Sequence, residues 1–141
     1  MSTAIKPMTA QQVFDAALFG IRGQGYRQSV NSVGSCMYRG DGGLKCGIGH
    51  ALPEKIGAIS VQSLDERDEY SITAILLGSK ASNSRPVPEI RLLFDGIEIE
   101  FLEAVQKAHD SMHYFYVSAW EPEMASIAKR HSLIYTPVGA A

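Results

Sequence analysis

Sixteen residues from Ser35 to His50, SCMYRGDGGLKCGIGH, constrain this chain more than any other stretch. They hold five glycines, both cysteines of the protein, and Tyr38, Arg39, Lys45 and His50. The Gly-Asp-Gly-Gly centre predicts a tight reversal, because glycine takes positive φ without steric cost and Asp favours turns. The flanks Cys36–Arg39 and Leu44–Ile48 are then predicted to pair as an antiparallel hairpin. Register decides what the cysteines can do. If Arg39 pairs with Gly43, Cys36 and Cys46 stand opposite each other and could form a disulfide or supply two thiolates. If Arg39 pairs with Leu44, they point to opposite faces.

Around that segment the sequence predicts helices. Thr9 with Gln12 forms a capping box, and Val13, Phe14, Ala17, Leu18 and Ile21 follow at helical spacing until Gly23 and Gly25 end the run. Ala58–Gln62 reads as a short extended piece. Ser63 with Glu66 predicts a second capping box for a helix over Leu64–Leu77, closed by Gly78. Ser79–Pro88 reads as an exposed loop. Ile90–Phe101 fits both a hairpin and a helix-turn-helix. The second is favoured, with Pro88 in a first turn, a turn at Asp95-Gly96 and a longer helix over Glu98–Ser111. Trp120, Met124, Ile127, Ala128 and His131 mark a last helix with Pro122 in its first turn.

The expected architecture is α+β, with four to five helices packed on a small antiparallel β-hairpin. Residues 1–8 form a leader, 9–135 one globular domain and 136–141 a tail. A chain of 141 residues with 45% hydrophobic content can bury a real core. Its net charge of −2 and pI near 6.1 argue against nucleic acid as a direct partner. The longest apolar runs are far short of the roughly 20 residues of a spanning helix, and no secretory stretch opens the chain. No membrane partner and a cytoplasmic location are expected, with reduced cysteines.

Three chemistries compete for the glycine-rich segment. Tyr38, Arg39 and Lys45, with Arg27, could meet an anion or a partner protein at an exposed hairpin tip. Cys36, Cys46 and His50, with His109 and His113, offer thiolate and imidazole ligands for zinc. The nine residues between the cysteines are a wider gap than the usual knuckle. Zinc is the only cofactor the residues suggest. A cysteine nucleophile with His50 or His109 as base and Asp110 as orienter lacks a recognisable nucleophile signature around either thiol. Two packed thiols and solvated charges beside a turn are the simpler account. The aromatic row Tyr114, Phe115, Tyr116 and Trp120 reads as core and hinge packing.

A resemblance can now be stated. The pattern C-x-Y-R-G-x-x-G-x-K-C-x-x-G is carried by Cys36, Tyr38, Arg39, Gly40, Gly43, Lys45, Cys46 and Gly49, and is followed by Leu52-Pro53. Later come an F-L-x-x-V-Q-x-x-H-D helix, Phe101 to Asp110, and a Trp-led helix with Ile127 and Ala128. This resembles a group of small tailed-bacteriophage proteins, some of which carry Cys where this chain has His50. The resemblance implies a phage accessory protein made in an infected host cell. Such a protein would bind and inhibit a host protein complex, plausibly a defence system, as an anti-CRISPR or similar counter-defence factor. The alternatives are a protein that sequesters a nucleotide signal, and a small zinc protein or cysteine hydrolase.

Overall fold

The computed structural model describes residues 5–29, 37–66, 72–78, 86–110 and 117–139. Helix α1 spans Ala10–Gly23. Its capping box forms as the sequence predicts: Gln12 N–H donates to Thr9 Oγ1 at 3.1 Å, and Thr9 N–H donates to Gln12 Oε1 at 2.9 Å. The apolar stripe Val13, Phe14, Ala17, Leu18 and Ile21 is wholly buried. At the far end Tyr26 N–H reaches Ile21 O and Gly25 N–H reaches Arg22 O, with Gly25 at φ 67°. This crossed pair is a Schellman close, which needs the left-handed conformation that glycine supplies.

The glycine-rich segment departs from expectation. No strand forms over its described residues, 37–50. Asp41–Gly43 make a single 3₁₀ turn, with Gly42 at φ 69° and Gly43 at φ 79°, and Gly40 N–H to Leu44 O at 2.8 Å closes it. The chain then enters α2, Gly47–Ala51, where a second strand was expected. The reason is tertiary. A Cβ built on Gly49 would lie 2.5 Å from the Tyr38 carbonyl oxygen, and one on Gly47 would lie 3.0 Å from that of Val105. Only a backbone without side chains fits there, and the helical conformation buries Ile48 completely.

The β-hairpin of the fold lies further on. Strands β1, Lys55–Ile56, and β2, Ile59–Ser60, pair antiparallel in the register Lys55↔Ser60 and Ile56↔Ile59. Gly57, at φ 59°, opens the two-residue turn between them, the position where a type II′ turn calls for glycine. Val61–Glu66 continue as 3₁₀ turns, and of the expected helix over Leu64–Leu77 the described residues show 3₁₀ turn over 64–66 and helix α3 over Ile72–Leu77, with 67–71 outside them. Ser63 Oγ donates to Ser60 O at 2.5 Å and so serves the 3₁₀ turn.

The helix-turn-helix reading of the next stretch holds. Helix α4 is Pro88–Leu93 with Pro in its first turn, Gly96 turns at φ 81°, and α5 is Ile99–Asp110. Helix α6, Val117–Arg130, begins earlier than expected, so Pro122 lies inside it and not in its first turn. It closes with a second Schellman pair, Leu133 N–H to Ala128 O and Ser132 N–H to Lys129 O, which forces Ser132 to φ 57°. The described residues thus hold six α-helices and one two-stranded hairpin, one helix more than expected. Helix α1 packs chiefly on α2, α2 on α5, and α5 on α3 and α6. One apolar cluster runs through all of them, from Val13 and Phe14 to Met124 and Ala128.

Candidate functional site

The chemistry-bearing residues of the glycine-rich segment face inward. Tyr38 is 1% exposed, and its hydroxyl accepts from Gln106 Nε2 at 3.0 Å. Gln106 Oε1 in turn accepts the Ile72 N–H at 2.8 Å, so one buried glutamine joins α5 to Tyr38 and to the start of α3. Thr73 Oγ1 also donates to Glu103 across the same pair of helices. Arg39 closes the C-terminal end of α2. Its Nη1 donates to Gly49 O at 2.7 Å and its Nη2 to Leu52 O at 2.6 Å. The Gly49 carbonyl also accepts the Leu52 N–H at 3.2 Å, and a guanidinium with several fixed donors can serve both carbonyls at once. Arg39 Nε stands 3.5 Å from Glu54 Oε1. Burial therefore removes Tyr38 and Arg39 from the exposed tip expected of them: their polar ends stabilise backbone and core.

Cys46 caps the other end of α2. Its Sγ accepts the Gly49 N–H at 3.2 Å, a role usually filled by Ser, Thr, Asp or Asn. The thiol is buried. The second sequence candidate, Cys36, and the expected ligand His113 lie outside the described residues, as do Tyr114, Phe115 and Tyr116.

His50 rests on α1 where the two helices cross. A Cβ added to Gly20 would fall 2.3 Å from His50 Cγ, so the missing side chain of Gly20 makes room for the imidazole. His50 Nε2 lies 2.8 Å from Gln24 Oε1. Gln24 Nε2 donates to Arg27 O at 2.6 Å and to Lys45 O at 2.8 Å, and Gln24 Oε1 also accepts Lys45 N–H at 3.1 Å. That network fixes the amide orientation and puts the His50 proton on Nε2. Burial, and then the charges of Lys45, His109 and Arg39, press the His50 pKa down to about 4. His109 is also lowered, mainly by burial, against the opposing pull of the Tyr26 and Arg27 backbone. Its Nε2 stands 3.4 Å from Tyr26 O, and its carbonyl accepts from Gln28 Nε2 at 3.1 Å.

The remaining sequence candidates are peripheral. Lys45 Nζ lies 3.9 Å from Glu54 Oε1, and Arg27 Nε donates to Gln24 O at 3.3 Å. Lys45 Nζ and Arg39 Nε thus face the same Glu54 oxygen, whereas Arg27 bonds to Gln24 and Tyr38 to Gln106. Among the described residues no three His, Cys, Asp or Glu side chains gather where they could hold a metal ion. Cys46, His50 and His109 each contact a backbone or amide group there.

A second cluster, which sequence reasoning missed, faces outward. Arg22 grips Glu121 of α6 with both arms, Nε to Oε2 at 2.9 Å and Nη2 to Oε1 at 2.6 Å. Tyr26 and Tyr135 hydroxyls donate to the same carboxylate at 3.0 and 2.6 Å. Burial pushes the Glu121 pKa up, but the bonds from Arg22, Tyr135 and Tyr26 outweigh it and the net shift is downward. Arg22 Nη2 also donates to Thr136 O at 2.7 Å. Gln11 bonds Ile134 twice, accepting its N–H at 2.8 Å and donating to its carbonyl at 3.0 Å. Residues 133–136 are thereby strapped along α1. The Arg22 guanidinium lies between two rings, 5.6 Å from the Phe19 centroid and 5.7 Å from that of Tyr135. Phe19 is 49% exposed, Ile134 73% and Val138 64%. One sequence signal was available: Phe19 stands off the apolar stripe of its helix, where an aromatic ring must face out.

Among the described residues no helix is long and apolar enough to cross a membrane. No family model matches this sequence, and no curated protein or solved structure matches it significantly.

Proposed function

We propose that this chain is a non-enzymatic accessory protein of a tailed phage that binds and inhibits a host protein complex, with a defence system as the target class. Two things support the reading. The sequence resembles a group of small phage proteins in the glycine-rich segment and in the helix Phe101 to Asp110. The residues that could have carried chemistry, Tyr38, Arg39, Cys46, His50 and His109, are spent on joining α1, α2 and α5.

The contact surface is the flank of α1 and its strap. The single observation that carries this assignment is the set of exposed side chains Phe19, Ile134 and Val138 beside the Arg22 guanidinium, which packs on the Phe19 and Tyr135 rings. Aromatic and Arg side chains around exposed aliphatics are the composition that protein interfaces favour. The flank is also rigid, because Arg22, Glu121, Tyr26 and Gln11 hold it with charge-assisted and paired bonds. A preformed surface binds without a further ordering cost.

The test is a double substitution, Phe19→Asp with Ile134→Asp, at two side chains that are largely exposed. A tagged chain should capture and inhibit a host complex from lysate, and the double variant should lose both while keeping its melting temperature. Capture and inhibition that survive the double variant would remove the flank from the reading. Absence of inhibition by the unmodified chain would remove the reading itself.

A further inference from the structure

A cleft of about 450 Å³ opens between α5 and α6 and uses none of the flank residues. Its size falls within the range of small-ligand sites. It exists because α5 presents Ala104 and Ala108, one turn apart, to Ala119 and Trp120 of α6. Three methyl groups leave the space that larger side chains would fill, and Trp120, 2% exposed, lies behind them and touches the cleft. Three charged groups line the rim: Lys107, Glu123 and Arg130. Arg130 reaches back along α6 until its Nη2 lies 3.4 Å from Glu123 Oε1, and both side chains remain half exposed. One guanidinium nitrogen meets that carboxylate, so other donors stay available. Lys107 makes no ion pair among the described residues.

We propose that this cleft binds a mononucleotide-sized aromatic anion, with a nucleoside monophosphate as its simplest form. The chemistry matches in three parts. An apolar, partly aromatic floor suits a flat heterocycle. A guanidinium and an ammonium at the rim suit a phosphate, the guanidinium as a planar fork and the ammonium as a point charge. A carboxylate on the same rim suits the hydroxyl donors of a ribose. A fatty acid would leave Glu123 facing an apolar chain, and free phosphate would leave the floor unused. The site therefore selects a ligand carrying all three groups.

Trp120 is the only tryptophan in the chain, so intrinsic fluorescence reads the cleft floor directly. The experiment titrates the full-length protein with AMP, and separately with adenosine and inorganic phosphate. AMP should change Trp120 emission saturably, adenosine should bind about tenfold or more weaker, and phosphate alone should give no saturable change. Lys107→Glu and Arg130→Ala, both at exposed side chains, should each weaken AMP about tenfold or more with an unchanged melting temperature in its absence. The proposal is overturned by a lack of saturable change at millimolar AMP, by equal binding of adenosine and AMP, or by AMP binding that both variants leave intact. Any of those results leaves the partner flank on α1 untouched, because the two sites share no side chain.

Discussion

Replacing Gly20 with Ala puts the crossing of α1 and α2 to a quantitative test. Gly20 lies well inside α1, where glycine is less favourable than alanine by about 1 kcal/mol. In a helix with open space the substitution would therefore stabilise the protein. Here the new methyl would meet His50 at 2.3 Å from both Cγ and Nδ1 and 2.7 Å from Cδ2. These atoms sit close to the His50 backbone, so the ring cannot swing aside without leaving Gln24. Overpacking of this kind costs about 1–3 kcal/mol. The displaced His50–Gln24 bond adds about 1 kcal/mol. Set against the propensity gain, Gly20→Ala should destabilise by roughly 1–3 kcal/mol. In a His50→Ala background the clash is gone, and the same substitution should stabilise by about 0.5–1 kcal/mol. Urea unfolding of the four proteins in this cycle gives the values from the midpoints, provided the slopes agree. The same sign in both backgrounds would refute the crossing geometry.

Three other perturbations follow from particular bonds. Ser132→Gly relieves a left-handed backbone at the close of α6 and should raise stability by about 0.5–1 kcal/mol in thermal unfolding, whereas a loss would speak against the Schellman close. Tyr38→Phe removes the buried hydroxyl that accepts from Gln106 Nε2 and should cost about 1–2 kcal/mol by urea unfolding, whereas no change would mean that the pair does not form. The His50 pKa is about 4 in the folded chain and near 6.5 unfolded, so the unfolded state binds more protons between those values. The stability that His50 contributes is fully present above pH 6.5 and is lost as pH falls toward 4, by about 1–2 kcal/mol once solvent screening is allowed for. His50→Gln should flatten that slope, and an NMR titration in which His50 protonates near pH 6.5 would contradict it.

Parts of the fold were legible because their signals are local. The α1 stripe, its capping box, and the turn at Asp95-Gly96 between α4 and α5 need only near neighbours in sequence. The stretch Gly40 to Ala51 was misread because its structure is decided at a distance. Gly-Ile-Gly-His-Ala has poor helix propensity, yet it becomes α2 through a thiol cap from Cys46, a guanidinium cap from Arg39 and close seats on Tyr38 and Val105. Turn residues flanked by alternating positions look like a hairpin when those partners are out of view. The sequence points to Tyr38 and Arg39 as exposed binding residues and to His50 as a metal ligand for the same reason: their partners are backbone carbonyls and glutamine amides, which carry no motif. The strap was read partly as tail because it has no periodicity. Single side chains hold it, chiefly Gln11 and Arg22, and those contacts span more than a hundred residues of sequence.

The central claim is that the glycine-rich segment is an internal scaffold and not an exposed hairpin, and the reactivity of Cys46 tests it most directly. With Cys36 replaced by Ser, Cys46 is the only thiol in the chain. It is 2% exposed beneath α2 and accepts the Gly49 N–H. A thiol reagent such as Ellman's should label the folded protein about a hundredfold or more slower than the urea-unfolded chain, at a rate set by opening of the structure. Labelling of the folded protein as fast as of the unfolded chain would place Cys46 on an exposed strand and contradict the account.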